Sequence, residues 1–224
     1  RSLGFDFQPL EHIQLHPPGN WKEEFRRRRR YPFVIAVNVN ASDIIKPEFR
    51  RWPPEYFVEL CTKLLAEHDC ELWFIGSKEE ESYVASVIDK TSSAGEFGHR
   101  SVNWAGKTNL DELVGLLQAA DLLITNDSGP MHIAASLGIP VCAIFGAETP
   151  VQYAPKGPQH FLISQASLYC HPCLNVYNMK QNICVNPHKY ACLRLTTPAG
   201  VLAAVERNFI DNRPTQARRI GTRP

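Results

Sequence analysis

The sequence predicts an α/β fold, a doubly wound parallel sheet with helices on both faces, and three observations carry that prediction. Short apolar runs recur along the chain, each ended by a polar or glycine-containing loop. Between them lie stretches whose apolar residues recur at helical spacing and begin at proline or an N-cap residue. The two patterns alternate strictly from Phe33 to Phe145, and a last apolar run follows at Phe161 to Ile163. Strict alternation implies parallel strands joined by covering helices.

Residues 1–30 come first and hold few apolar residues in any period, with Pro9, Pro17, Pro18 and Gly19 as breakers. They are expected to form a linker or basic arm. Arg26 to Arg30 is an unbroken basic run, either a solvated mobile segment or a contact for phosphate-bearing lipid or another anionic partner. A domain is expected over residues 31–165. Phe33 to Val37 is its first strand. Pro53 and Pro54 open a helix carrying Tyr56, Phe57, Leu60, Cys61, Leu64 and Leu65 on one face. Leu72 to Ile75 is a strand ending at Gly76, followed by a helix from about Glu79 with Tyr83, Val84, Val87 and Ile88 inward. Ser101 to Ala105 is a strand ending at Gly106. Asn109 with Glu112 reads as a capping box opening a helix through Leu113, Leu116 and Leu117.

Leu122 to Ile124 forms the next strand, and the turn Asn126-Asp127-Ser128-Gly129 follows it. Pro130 suits the first helical position, where its missing N–H costs nothing and its φ is already helical. That helix runs through His132 and Leu137 until Gly138 and Pro140 stop it. Val141 to Phe145 and Phe161 to Ile163 are the last strands. Residues 166–224 are expected to hold a cysteine-containing loop and a helix from Thr197-Pro198 through Val201, Leu202, Val205 and Phe209. A basic tail with Arg213, Arg218, Arg219 and Arg223 ends the chain.

Composition narrows the function classes. The chain has 224 residues, 44% hydrophobic and 21% charged, an ordinary globular balance. A net charge of +1 gives no global reason to expect nucleic acid. No apolar stretch approaches the roughly 18 residues of a membrane span, and the opening residues do not read as a secretory signal. Of the seven cysteines, Cys61, Cys70 and Cys142 lie in periodic apolar contexts and are expected to be reduced core residues. A cytoplasmic protein is expected.

In a doubly wound sheet, ligands bind outside the C-terminal strand ends. The loops there span residues 38–51, 76–80, 106–109 and 126–132, where most of the polar and glycine-rich segments lie. A helix starting at Pro130 is an anion site by virtue of its free amides and dipole. It places His132 in the first turn, tilted back toward that anion. Asp127 does not suit a simple phosphate cradle, since a carboxylate beside a diphosphate is repulsive. It must cap an amide, bind a sugar hydroxyl or bind a cation. The plainer alternatives are an ordinary N-cap for Asp127-Ser128 and a surface histidine for His132.

The string Asp127-Ser128-Gly129-Pro130-Met131-His132, with Ala134-Ala135, Leu137-Gly138, Pro140 and Phe145-Gly146, resembles the signature of glycosyltransferase family 9, the ADP-heptose:lipopolysaccharide heptosyltransferases. Arg51-Trp52-Pro53 is similar to that family's Lys/Arg-x-Trp-Pro segment. Gly76 with Glu80 resembles its Gly-x-x-x-Glu loop, and Ala105-Gly106-Lys107-Thr108 with Leu110 its Ala-Gly-Lys-Thr-x-Leu segment. The resemblance covers roughly residues 33–150. It implies a Rossmann-like domain forming the C-terminal half of a GT-B glycosyltransferase, the half that binds the nucleotide sugar. It further implies that Glu80 contacts the ribose, that Thr108 lies near the base, and that Asp127, Ser128, Gly129 and His132 surround the diphosphate and sugar. The family's basic first-loop residue maps to Arg50, with Arg51 beside it, and a phosphate contact maps to Ser42.

By the same resemblance the donor is an ADP-heptose-like nucleotide sugar, with no metal or other cofactor required. His132 and Arg50 would stabilise the leaving group. The general base is expected outside this chain, in an N-terminal acceptor-binding domain of the same protein. The acceptor would be a lipid-linked or oligosaccharide glycan of the lipopolysaccharide-core type, with peripheral contact at the inner membrane. The competing readings are a non-catalytic nucleotide-binding or interaction module of the same fold, and another nucleotide-sugar enzyme such as an epimerase. Cys170-x-x-Cys173, Cys184 and Cys192 remain open between structural thiols, a metal site and disulfides.

Overall fold

The computed structural model describes residue 15 and residues 19–41, 46–174 and 183–212. Six strands form one sheet: β1 (Phe33–Asn38), β2 (Cys70–Phe74), β3 (Ser101–Asn103), β4 (Leu122–Asn126), β5 (Val141–Ile144) and β6 (Phe161–Ile163). Their order is β3-β2-β1-β4-β5-β6, and every neighbouring pair is parallel. The chain steps outward from β1 to β3, then returns to β4 on the other side of β1. The winding therefore reverses between β1 and β4, which opens a crevice at their C-terminal ends.

Alternation along each strand divides the core into two layers. Ile35, Val37, Leu72, Phe74, Ile124 and Ile144 face one layer, packed beneath α2 (Pro54–Glu67), α3 (Glu81–Ser93) and α8 (Pro198–Val205). Val34, Ala36, Trp73, Leu123 and Ala143 face the other, beneath α4 (Leu110–Ala119) and α5 (Gly129–Ser136). With both faces covered, β1, β2, β4 and β5 are buried along their whole lengths. That is why they read as continuous apolar runs and not as alternating ones.

The expected capping box at the start of α4 is complete. The Glu112 amide donates to Asn109 Oδ1 at 2.9 Å, and the Asn109 amide donates to Glu112 Oε2 at 2.8 Å. Thr197 caps α8 by accepting from the Gly200 amide at 3.2 Å. Some boundaries differ. β2 starts earlier, at Cys70, and β3 stops at Asn103. Glu80 is the N-cap of α3, not part of it. Two short helices, α6 (Pro150–Tyr153) and α7 (Ala191–Arg194), have no counterpart in the sequence pattern. Each is four residues long, too short to show a period.

The largest departure is at the front of the chain. Trp21–Arg28 form a helix, α1, within the stretch expected to be a linker or basic arm. Trp21 and Phe25, four positions apart and so on one face, pack into the α4 layer, with the Phe25 ring 5.1 Å from Trp104. The basic run is likewise tied to the domain. Arg29 donates to Asp121 Oδ2 at 2.6 Å, and Arg30 pairs with the buried Glu71 at 3.1 Å. Arg28 lies over the Trp104 ring at 5.4 Å. Arg28, Arg29 and Arg30 thus clamp α1 and β1 to the domain and do not belong to a solvated mobile segment. The helix has only two large apolar side chains on its inner face, too few for a periodic signal.

Candidate functional site

The C-terminal ends of β1, β2 and β4, with the loop after β3, surround a cleft of about 380 Å³. Its floor is a polar network between β1 and β4. Asn38 Nδ2 donates to Ser128 Oγ at 2.8 Å and to Thr125 Oγ1 at 3.2 Å. The Thr125 and Ser128 hydroxyls stand 2.9 Å apart. Asn126 Nδ2 donates to the Asn40 carbonyl at 3.1 Å, while Asn126 Oδ1 accepts from the Trp52 amide at 2.9 Å. Three asparagines thus lock the crossing of the two central strands. The sequence pattern lumped them into loops and strand ends, although amides at the ends of apolar runs were a usable signal.

One wall comes from β2 and its loop. Gly76 leaves room there, for a Cβ would come within 2.9 Å of Asn40 Nδ2 and 3.2 Å of Glu80 Oε2. Glu80, half-buried, is steadied by the Ser77 amide, which donates to its Oε2 at 2.8 Å. The far end is formed by Thr108, Asn109, Leu110 and Leu113 and is largely apolar with Ile75. Leu110 is 66% exposed there, a large apolar side chain with nothing over it.

The near end is the start of α5. Ser128 has the extended backbone of an N-cap residue, but its hydroxyl turns into the floor and caps nothing. Pro130 has no N–H, and the Met131 amide closes onto the Ser128 carbonyl at 3.2 Å. The backbone N–H groups of Ser128 and Gly129 take no acceptor among the described residues. The anion-binding capacity of this helix end therefore rests on those two amides.

Of the options its spacing allowed, Asp127 takes the cation, which is a side chain of this chain. It holds Arg50. The Arg50 Nε donates to Asp127 Oδ2 at 3.1 Å and its terminal nitrogen donates to the Asp127 carbonyl at 2.8 Å. Their side chains are only 15% and 5% exposed. The carboxylate is engaged by a fixed cation, so its charge is offset beside the start of α5.

Glu80, Thr108, Ser128 and Gly129 are brought together on one cleft. Arg50 and Asp127 form a largely buried pair just before Ser128 and are not among the residues lining the cleft. His132 is exposed in the first turn of α5 and is not among the residues lining the cleft. Ser42 lies outside the described residues.

The four late cysteines are gathered elsewhere, around a small cavity beside Phe49, Ala147 and Tyr190. All are free thiols. The Asn186 amide donates to Cys170 Sγ and the Tyr190 amide to Cys184 Sγ, each at 3.3 Å. Burial, then the neighbouring Cys173, pushes Cys192 up to about 12, and burial with Cys184 and Cys170 also raises Cys173. A separate group, Glu67, His68 and Glu206, brings its ligand atoms within 4.8 Å of one another. It sits at the C-terminal end of α2, just before β2 begins, away from the C-terminal strand ends that form the cleft. No helix among the described residues is long and apolar enough to cross a membrane.

The chain matches the family described as glycosyltransferase family 9 (heptosyltransferase) over residues 20–184. It is 37% identical over 106 residues to lipooligosaccharide heptosyltransferase 2 of Haemophilus influenzae, covering 47% of this chain and 30% of that one. It is 26% identical over 176 residues to the Campylobacter jejuni protein of the same name, covering 78% and 51%. Among solved structures it resembles the ADP-heptose lps heptosyltransferase II of E. coli, with a TM-score of 0.69 and 23% identity over 91% of this chain and 55% of that one. That likeness concerns the fold. The chain spans about half or less of the length of these relatives.

Proposed function

The chain belongs to glycosyltransferase family 9, the heptosyltransferase family, and we propose that it is the nucleotide-sugar-binding, C-terminal half of a GT-B glycosyltransferase. The observation that carries this reading is the cleft at the winding reversal, where Glu80, Thr108, Ser128 and Gly129 meet on one surface. Its ends differ in the way a nucleoside diphosphate does. The apolar end at Ile75, Leu110 and Leu113 suits a base, Glu80 suits ribose hydroxyls, and the amides of Ser128 and Gly129 suit phosphate oxygens.

Bond breaking at the sugar leaves negative charge on the departing diphosphate. The α5 amides meet that charge without reorganising, and Arg50, oriented by Asp127, adds a fixed cation beside them. His132, exposed one turn into α5, can swing over the diphosphate from outside. The acceptor hydroxyl needs a base within hydrogen-bond reach, which in this proposal comes from a facing acceptor-binding domain. The donor is an ADP-heptose-like sugar, and the acceptor a lipopolysaccharide-core or related glycan met at the inner membrane surface.

A thermal-shift panel of ADP, UDP, GDP and their sugars tests this. Ligand at a hundred times its dissociation constant adds about 2.7 kcal/mol of stability, or a rise of roughly 5–10 °C for a domain of this size. One nucleotide series is expected to give that rise. No rise with any of them would favour a non-catalytic interaction module. The 224-residue chain by itself should bind the donor without transferring its sugar, and appreciable transfer in a radiolabelled-sugar assay would show that the base lies within it.

A further inference from the structure

One side chain in the cleft has no role in holding the fold. Asn40 follows β1, is 2% exposed, and lines the cavity. Its backbone is fully used, the amide donating to Asn38 Oδ1 at 3.3 Å and the carbonyl accepting from Asn126. Its side chain is not. Neither Oδ1 nor Nδ2 has a partner among the described residues. A buried carboxamide with both ends unpaired is costly, and such groups call for a specific explanation.

The surroundings say what would satisfy it. Asn40 Nδ2 and Glu80 Oε2 both pack against Gly76, 2.9 and 3.2 Å from where a Cβ would lie, so only glycine lets the two groups come this near one another. A carboxylate accepts only, whereas a carboxamide both donates and accepts. A phosphate oxygen would use one end of Asn40 and would be repelled by Glu80. A base edge belongs at the apolar end, beyond Thr108. A pair of adjacent hydroxyls fits both groups, since each hydroxyl donates one proton and accepts another.

We propose that Asn40 is a specificity residue of the nucleotide site, its side-chain amide and the Glu80 carboxylate together reading the ribose 2′,3′-diol across Gly76. This rests on the nucleotide-sugar reading above. A diol held this way gives two hydroxyls partners and completes the amide, so the ribose and Asn40 satisfy one another. An analogue lacking either hydroxyl leaves buried polar atoms unpaired and is rejected.

Calorimetric titration of the purified protein tests it, using ADP, UDP or GDP, whichever stabilises most, with its 2′-deoxy and 3′-deoxy forms. The unaltered protein is expected to favour the ribo form by about tenfold or more, one unmade buried hydrogen bond. Asn40→Ala and the volume-matched Asn40→Leu should weaken the ribo form by about tenfold and shrink its advantage over the deoxy forms. Without ligand, both variants should melt at or above the temperature of the unaltered protein, because an unpaired amide has been removed. A ribo-to-deoxy ratio unchanged in Asn40→Ala overturns the assignment while leaving the nucleotide site standing. A lower ligand-free melting temperature in both variants, with the ratio preserved, makes Asn40 structural. If no nucleoside diphosphate binds the unaltered protein, the nucleotide reading and this assignment fall together.

Discussion

Arg50 and Asp127 are 77 residues apart in the chain, and neither is interpretable alone. In the proposed nucleotide-sugar site a carboxylate would repel a diphosphate unless the guanidinium were in place, and a guanidinium with no partner would move among rotamers. Together they give an oriented cation whose position is set before the ligand arrives. The pair is mostly buried, so losing one member leaves an uncompensated charge. Asp127→Ala is therefore expected to cost about 3 kcal/mol in urea unfolding, and to weaken nucleoside diphosphate binding as well. An unchanged midpoint would mean that Arg50 finds another partner. Asp127→Asn, which keeps one acceptor for Arg50, should lose less on both measures.

Among the elements, α1 shows how local propensity yields to packing. Gly115 sits inside α4 beneath α1, and a Cβ there would strike Trp21, with its backbone carbon 2.9 Å away and the Lys22 nitrogen at 3.1 Å. In an isolated helix Gly→Ala would gain about 1 kcal/mol. Here the clash is with backbone, which cannot rotate aside, and overpacking of this kind costs about 1–3 kcal/mol. Gly115→Ala should therefore lower the melting temperature and expose the arginine run to trypsin, while Gly129→Ala, where nothing lies within 4 Å, should leave the fold intact. The Arg51-Trp52-Pro53 segment is a second element-level device. The Trp52 amide is held by Asn126 and its indole donates to the Thr196 carbonyl at 2.8 Å. That buried ring fastens the β1 loop to β4 and the C-terminal segment to both. A Trp52→Phe exchange keeps an aromatic ring but opens a small cavity and leaves that carbonyl without its donor, so a loss of stability is expected with the cleft intact.

For the whole molecule, the buried thiols set an alkaline limit. Burial pushes Cys70 up to about 12 from an ordinary 9.0, with Arg100 opposing; Cys192 is also raised to about 12. Cys61 and Cys142 are raised further by burial. Each thiol stays protonated in the fold above pH 9 while the unfolded chain releases its proton. The unfolded state then binds fewer protons, so stability falls as pH rises. A loss is expected between about pH 9 and pH 12, steepest after the unfolded value, measurable by melting scans against pH. Substituting Cys70 by Ala or Val should flatten that slope. Alkylation should spare Cys61, Cys70 and Cys142 in the folded protein at neutral pH, since none is accessible.

The sheet, its strand sequence and the loops that would carry a ligand were legible because buried parallel strands and amphipathic helices write periodic patterns into consecutive residues. The capping box at Asn109 and the helix start at Pro130 were legible for the same reason, being local. What escaped was whatever depended on contacts between distant segments. Two aromatic residues on α1 show no period, so only the α4 surface reveals that they form a helix. Asp127 carries no sign of Arg50, and the thiols from Cys170 to Cys192 carry no sign that they meet around one cavity. Asn40 is the sharpest case. In sequence it is one more polar residue after a strand, and only the tertiary structure shows it buried, its side chain unpaired among the described residues, and packed with Glu80 against Gly76. Secondary structure and the parallel, doubly wound class follow from short-range stereochemistry and the side on which apolar residues recur, whereas the order of the strands is set by their pairing in the folded sheet. The site follows from which side chains a folded sheet brings within hydrogen-bond distance, and no spacing along the chain fixes that distance.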